Sequence, residues 1–216
     1  MSSVFVLPSR FYPILDTDAC LAAGLEPLAV LDVWLEAGVR LVQLRAKALA
    51  GGAFLALAEA MAPRCRAAGA MFVINDRADI AVMAGVAAVH IGQEDLAPRA
   101  VRDIVGPEGV IGLSTHTPAQ YAAACREPVD YLAIGPVFST STKTSGNAIV
   151  GLDGLASAAR AAHDVGKPIV AIGGITLASA AAVLAAGADA VAVISDLLVE
   201  PLDARVREYL AAAADI

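Results

Sequence analysis

Short apolar runs and helix-patterned stretches alternate along almost the whole chain, and this alternation limits the fold more than any other feature. Candidate strands lie at Phe11–Leu15, Val39–Leu44, Met71–Asn75, Ala87–Ile91, Val110–Leu113, Tyr131–Ile134, Pro168–Ile172 and Ala188–Ile194. Between and after them run helical patterns at Pro27–Ala37, Gly52–Ala68, Ala78–Ala84, Pro98–Val105, Pro118–Cys125, Leu152–Ala162, Thr176–Ala186 and Leu202–Ala214. The strands read as near-continuous apolar runs, as parallel strands buried on both faces do. Pro27, Pro98 and Pro118 punctuate helix starts, with Thr117 the N-cap before the last, and Gly38, Gly69, Gly85 and Gly187 punctuate ends. Eight βα units in 216 residues predict an α/β protein, one compact TIM (β/α)8 barrel over 1–216. A doubly wound sheet is the weaker choice, because no Rossmann glycine fingerprint follows the first strand.

Composition narrows the classes of partner. The chain is 58% hydrophobic and 17% charged, enough for a large core and too apolar for disorder. No uninterrupted apolar run approaches the roughly 18 residues of a spanning helix, and Met1-Ser2-Ser3-Val4 lacks a secretory pattern, so no membrane partner is expected. Cys20, Cys65 and Cys125 fit neither a disulfide framework nor a zinc site and are compatible with a reducing cytoplasm. A net charge of −7 with no basic stripe argues against nucleic acid. Nothing in the composition decides for or against a homo-oligomer.

In a barrel the C-terminal strand ends build the active site, so the polar residues there carry the functional reading. After strand 2, period-two alternation puts Gln43, Arg45 and Lys47 on one side and Leu44 and Ala46 on the other. Strands 3 and 4 end in Asn75-Asp76-Arg77 and His90-Ile91-Gly92-Gln93-Glu94-Asp95. Carboxylates converging from adjacent strands on an anion site repel unless a hard cation lies between them, which points Asp76 and Asp95 to Mg²⁺. The plainer reading has Asp76 cap the next helix and pair with Arg77. His90 lies inside a strand, where a hydrogen-bonded core histidine is at least as common as a catalytic one. Ser114 and His116 follow strand 5. After strand 6 comes Gly135-Pro136-Val137-Phe138-Ser139-Thr140-Ser141-Thr142-Lys143. Hydroxyls beside an ammonium suit a phosphate ester, and the chain has only three lysines, Lys47, Lys143 and Lys167. A solvated loop lysine is the alternative. Gly173-Gly174 after strand 7 and Ser195 after strand 8 match the phosphate site common in this fold.

Taken together, Gln43-Leu44-Arg45-x-Lys47, Asn75-Asp76-Arg77, His90-x-Gly92-Gln93-x-Asp95, Ser114-x-His116-Thr117, Gly135-Pro136-Val137-Phe138 with Thr140-x-Thr142-Lys143, Ile172-Gly173-Gly174-Ile175 and Val193-Ile194-Ser195 resemble the thiamine-phosphate synthase family, in its order, over about four-fifths of the chain. The resemblance implies a transferase of the cytoplasm that joins a pyrimidine methyl diphosphate to a thiazole phosphate, forming thiamine monophosphate and diphosphate. It implies a dissociative route through a pyrimidine carbocation. It places Gln43, Leu44, Arg45, Ala46, Lys47, Asn75, Ser114 and Lys143 on the pyrimidine diphosphate, with Lys143, Arg45 and Lys47 catalytic. Asp76 and Asp95 fall on Mg²⁺ ligands, and Thr140, Ser141, Thr142, Gly174, Ile194 and Ser195 on the thiazole phosphate. The segment 135–151 is the candidate lid, although after Lys143 the chain lacks the family's usual further lysine and proline-rich stretch. Three rivals are a thiazole tautomerase paralogue, a non-catalytic phosphate-binding barrel and a Schiff-base aldolase using Lys47 or Lys143.

Overall fold

Each strand shows one side chain in two to the barrel axis and the next to the helices, and the computed structural model closes on that alternation. It describes residues 5–140 and 146–214. The strands β1 (Phe11–Asp16), β2 (Leu41–Arg45), β3 (Met71–Asn75), β4 (Ala88–Ile91), β5 (Val110–Thr115), β6 (Tyr131–Ile134), β7 (Ile169–Ile172) and β8 (Ala190–Val193) are parallel and form a closed barrel in sequence order. Registers such as Ile14 beside Gln43, Asn75 beside His90, Gly112 beside Tyr131 and Val170 beside Ala190 put one parity of every strand on the axis.

The helices are α1 (Thr17–Ala22), α2 (Pro27–Glu36), α3 (Gly51–Ala67), α4 (Ala78–Met83), α5 (Pro98–Val105), α6 (Pro118–Ala124), α7 (Gly151–Asp164), α8 (Leu177–Ala185) and α9 (Leu202–Ala214). Eight of these answer the expected patterns, with ends shifted by a residue or two. The ninth, α1, is too short to show a helical period, and its signal is Asp16, whose Oδ1 accepts from the Ala19 N–H at 2.9 Å as N-cap. Thr117 caps α6 as expected, accepting from Gln120 N. Gly38, Gly69, Gly85 and Gly187 all take positive φ.

Two apolar layers result. The larger, between barrel and helices, holds Trp34, Leu44, Met61, Ile74 and Leu155. The smaller fills the barrel itself with Tyr12, Leu41, Val73, Tyr131 and Val170 among the alanines Ala88, Ala133, Ala190 and Ala192. Small residues on β4, β6 and β8 leave room on the axis for two tyrosine rings and, above them, a cavity. Among the described residues no helix is long and apolar enough to cross a membrane.

Candidate active site

The cavity opens at the C-terminal strand ends and has a volume of about 400 Å³, within the size of a small-molecule site. The chain's own periodicity puts its walls there. Gln43, Arg45, Asn75, Ser114, Thr140, Gly174, Ile194 and Ser195, all anticipated, line it.

On the β2–β4 side Arg45 is the charged residue of the lining, and Lys47, Asp76 and Asp95 follow the same strand ends outside it. Arg45 forms an ion pair with Asp16, whose side chain is almost fully buried. Lys47, half-exposed, pairs with Asp76. Asp76 sits at φ +64°, the left-handed region that Asp and Asn tolerate better than other side chains, and its N–H donates to the His90 carbonyl at 2.7 Å. Burial raises its carboxyl pKa above the ordinary range, and the facing Asp95 raises it further, while Lys47 opposes both. Asp95 is held in turn by the Gly92 N–H, 2.7 Å from Oδ2. The plainer reading of Asp76 fails here. Arg77 pairs with Asp79 through two hydrogen bonds of 2.8 and 2.6 Å, and α4 has no side-chain cap. Two facing carboxylates, Asp76 with its proton affinity raised by burial and by Asp95 and standing beside an ammonium, are a donor set that a hard dication completed by phosphate oxygens fits. No group of three or more His, Cys, Asp or Glu able to hold a metal occurs among the described residues.

Leu44 and Ala46 point away from the cavity. Both side chains are buried in the layer beneath the helices, so only their backbone can face a ligand.

On the β6–β8 side the walls are backbone. Val137 N–H donates to the Ile172 carbonyl and Phe138 N–H to that of Gly173, both at 3.0 Å, so the loop after β6 lies along the end of β7. Such an approach leaves no space for side chains. A Cβ on Gly173 (φ +98°) would stand 2.6 Å from Pro136 Cα, and one on Gly174 (φ +65°) would overlap the Ser139 carbonyl. His116 Nδ1 meets the Gly135 carbonyl at 2.6 Å. Asp196 braces the turn after β8, accepting from Leu177 N at 3.0 Å and from the Tyr209 hydroxyl at 2.5 Å. Ser141, Thr142 and Lys143 lie outside the described residues, as does part of the lid expected over 135–151.

The floor contains residues that the sequence reading missed or left open. Tyr12 and His90 line it beside Gln43 and Ser114. Tyr12 had a legible signal, since its parity along β1 points it to the axis. His90 is hydrogen-bonded through both ring nitrogens and still reaches the cavity. His163, late in α7, is half-exposed and meets Asp189 at 2.8 Å.

The fold and cavity together define a (β/α)8 barrel with its working face at the C-terminal strand ends. The family model for thiamine monophosphate synthase matches residues 11–197. The thiamine-phosphate synthase of Koribacter versatilis is 44% identical over 215 residues, covering 97% of this chain and 98% of that protein. That of Acidothermus cellulolyticus is 45% identical over 185 residues, covering 85% and 86%. The solved structure of a thiamine phosphate pyrophosphorylase from Pyrococcus furiosus superposes with a TM-score of 0.85 at 27% identity, over 95% of this chain and 96% of that one. The chain belongs to the thiamine monophosphate synthase family, and it is a transferase of thiamine biosynthesis.

Proposed function

We propose that this transferase is a thiamine-phosphate synthase in which 4-amino-2-methyl-5-(diphosphooxymethyl)pyrimidine alkylates 4-methyl-5-(2-phosphooxyethyl)thiazole, releasing diphosphate and forming thiamine monophosphate. The observation that carries the reading is the division of one cavity into two unlike anion walls. Arg45 and Asn75 line it on the β2–β3 side, and Gly174, Ile194 and Ser195 on the β7–β8 side. Two phosphorylated substrates meeting in one cavity need two such walls.

Arg45 and Lys47, with Lys143, hold the diphosphate and take up the charge that grows on it as the C–O bond breaks. Asn75 and Ser114 orient it, while Gln43 and the backbone of Leu44 and Ala46 complete that side. Asp76 and Asp95 are the residues that would hold Mg²⁺. When bound, Mg²⁺ would supply Lewis-acid neutralisation of the leaving diphosphate. Gly174 and Ile194 present backbone, and Thr140, Ser141, Thr142 and Ser195 hydroxyls, to the thiazole phosphate. The electron-rich aminopyrimidine stabilises a methylene cation, so departure of diphosphate precedes attack by the thiazole nitrogen. No protein nucleophile is required, and the segment 135–151 keeps water from the cation. Lys143 acts through its charge, so Lys143→Arg retains more activity than Lys143→Ala. The reading places the enzyme in the cytoplasm.

Incubating the protein with both substrates and Mg²⁺ should yield thiamine monophosphate and diphosphate by mass spectrometry, and omitting either substrate should yield neither. Titration calorimetry on Ser195→Asp then separates the walls. Thiazole phosphate binding should weaken while diphosphate binding persists, and equal loss of both would show the walls misassigned.

A further inference from the structure

A line of hydrogen bonds crosses the barrel interior beneath the cavity. Gln43 Nε2 lies 2.9 Å from the Tyr12 hydroxyl, which lies 3.0 Å from the Tyr131 hydroxyl. Tyr131 is 2.9 Å from His90 Nδ1, and His90 Nε2 is 2.8 Å from Ser114 Oγ. The two end groups, Gln43 and Ser114, both line the cavity. Gly112 makes room for the line, because a Cβ there would overlap the Tyr131 ring and come within 2.5 Å of His90 Nδ1.

Counting protons restricts what the ends can do. Each phenol has one proton and two partners within the line, so each donates once and accepts once. Both phenols are fully buried, which raises their pKa values and keeps them protonated. With a single ring N–H, His90 donates at one nitrogen and accepts at the other, and each nitrogen has a partner in the line. The direction of any one bond therefore sets all the others. If the Gln43 amide nitrogen donates to Tyr12, then Tyr12 donates to Tyr131, Tyr131 to His90 Nδ1, and His90 Nε2–H to Ser114. Ser114 then turns its own proton to the cavity, and Gln43 turns its carbonyl there. Turning the amide round reverses every bond with the same number of protons. Gln43 then offers N–H, and Ser114 can only accept.

We infer that Tyr12, Tyr131 and His90 are positioning residues that lock Gln43 and Ser114 into opposite hydrogen-bonding senses, so that the cavity floor admits a ligand edge carrying one donor and one acceptor and rejects an edge carrying two acceptors. The inference rests on the reading above that an aminopyrimidine occupies the cavity. The amino group and adjacent ring nitrogen of that heterocycle form one such donor–acceptor edge.

The test uses two inert probes, 4-amino- and 4-methoxy-2-methyl-5-(hydroxymethyl)pyrimidine. The methoxy compound replaces the donor by an acceptor and leaves the rest of the ring unchanged. Calorimetric affinities of the wild-type protein should favour the amino probe by on the order of tenfold or more, the effect of leaving one buried partner unsatisfied. Tyr131→Phe keeps the ring and cuts the line in the middle. Each end then chooses its own sense, and the preference should fall to within about twofold, less than the loss of one net hydrogen bond. Tyr12→Phe cuts the neighbouring link and should do the same, so the comparison survives if one variant does not fold. A wild type that does not distinguish the probes overturns the inference, and so does a folded Tyr131→Phe or Tyr12→Phe that keeps the full preference. Synthase turnover is measured in parallel. Absent turnover with an intact, relaxable probe preference counts against the synthase reading and leaves the floor's coupling standing.

Discussion

The strand-end face around the cavity is built of different material on its two sides. After β2, β3 and β4 the work falls to charged side chains, with Arg45 against Asp16, Lys47 against Asp76, and Asp95 pinned by Gly92 N–H. After β6, β7 and β8 it falls to backbone brought close by Gly135, Gly173 and Gly174 and braced by Asp196. A side-chain wall concentrates full charges, and its members compete with one another for counter-ions. A backbone wall offers partial charges already paid for in folding, at the cost of tolerating no substituent on its glycines. A metal-assisted leaving group suits the first wall, and a phosphate that is only held suits the second.

The difference can be broken most severely on the backbone wall. Gly174→Ala puts a Cβ into the Ser139 carbonyl at a φ that alanine resists, and the loop after β6 must move. We expect a loss of about 2–3 kcal/mol of stability from overpacking and strain, seen as a lowered Tm, together with loss of thiazole phosphate binding by calorimetry. An unchanged melt would show that the two loops do not need their close contact.

The charged wall should fail differently, in rate and not in fold. Asp76→Asn preserves a residue that tolerates positive φ and removes one carboxylate. Activity should fall by roughly 100- to 1,000-fold, the scale of losing one electrostatic contact to the transition state, with the circular dichroism spectrum unchanged. Excess chelator should produce a comparable loss in the wild type, and full activity in chelator would remove the metal from the site.

A smaller effect is expected at Asp16. Asp16→Asn keeps a good N-cap for α1 but leaves Arg45 without its counter-charge, for about 2 kcal/mol by chemical denaturation, toward the low side for a broken pair because Arg45 is partly exposed. Asp16→Ala loses the cap as well and should cost about 1 kcal/mol more.

The smallest effect is a pH dependence that sharpens the contrast. The Asp76 carboxyl is raised in the folded protein, by burial first and then by Asp95. The native state therefore binds a proton that the unfolded chain has released, over a window starting at the ordinary carboxylate pKa and ending at the raised one. Stability falls as pH rises through that window. Asp76→Asn removes this slope, so in metal-free buffer the variant should melt slightly higher than wild type at neutral pH while being far less active. A variant that melts lower would mean that the pairing with Lys47 outweighs burial.

Much of this was legible in the chain because the relevant signals are local. Period-two alternation separates Gln43 and Arg45 from Leu44 and Ala46, and the structure lines the cavity with the first pair and buries the second. Glycine doublets and strand-end carboxylates announce themselves by type and position. Helix α1 was missed because six residues carry no readable period, and its one signal, the Asp16 cap, doubles as the partner of Arg45. Asp76 was read as a helix cap or a metal ligand, and neither reading included its pairing with Lys47 across two strands.

By itself the sequence determined the order of elements, the parity of each strand and the chemical types at each strand end, since all three depend on neighbours a few residues apart. Only the tertiary structure decided which of those groups meet. Tyr12 and Tyr131 stand 119 residues apart and share a hydrogen bond. Barrel closure, the register of eight strands and the missing side chain at Gly112 bring them together. Partner choice across a barrel is set by closure and packing volume, which no local pattern encodes.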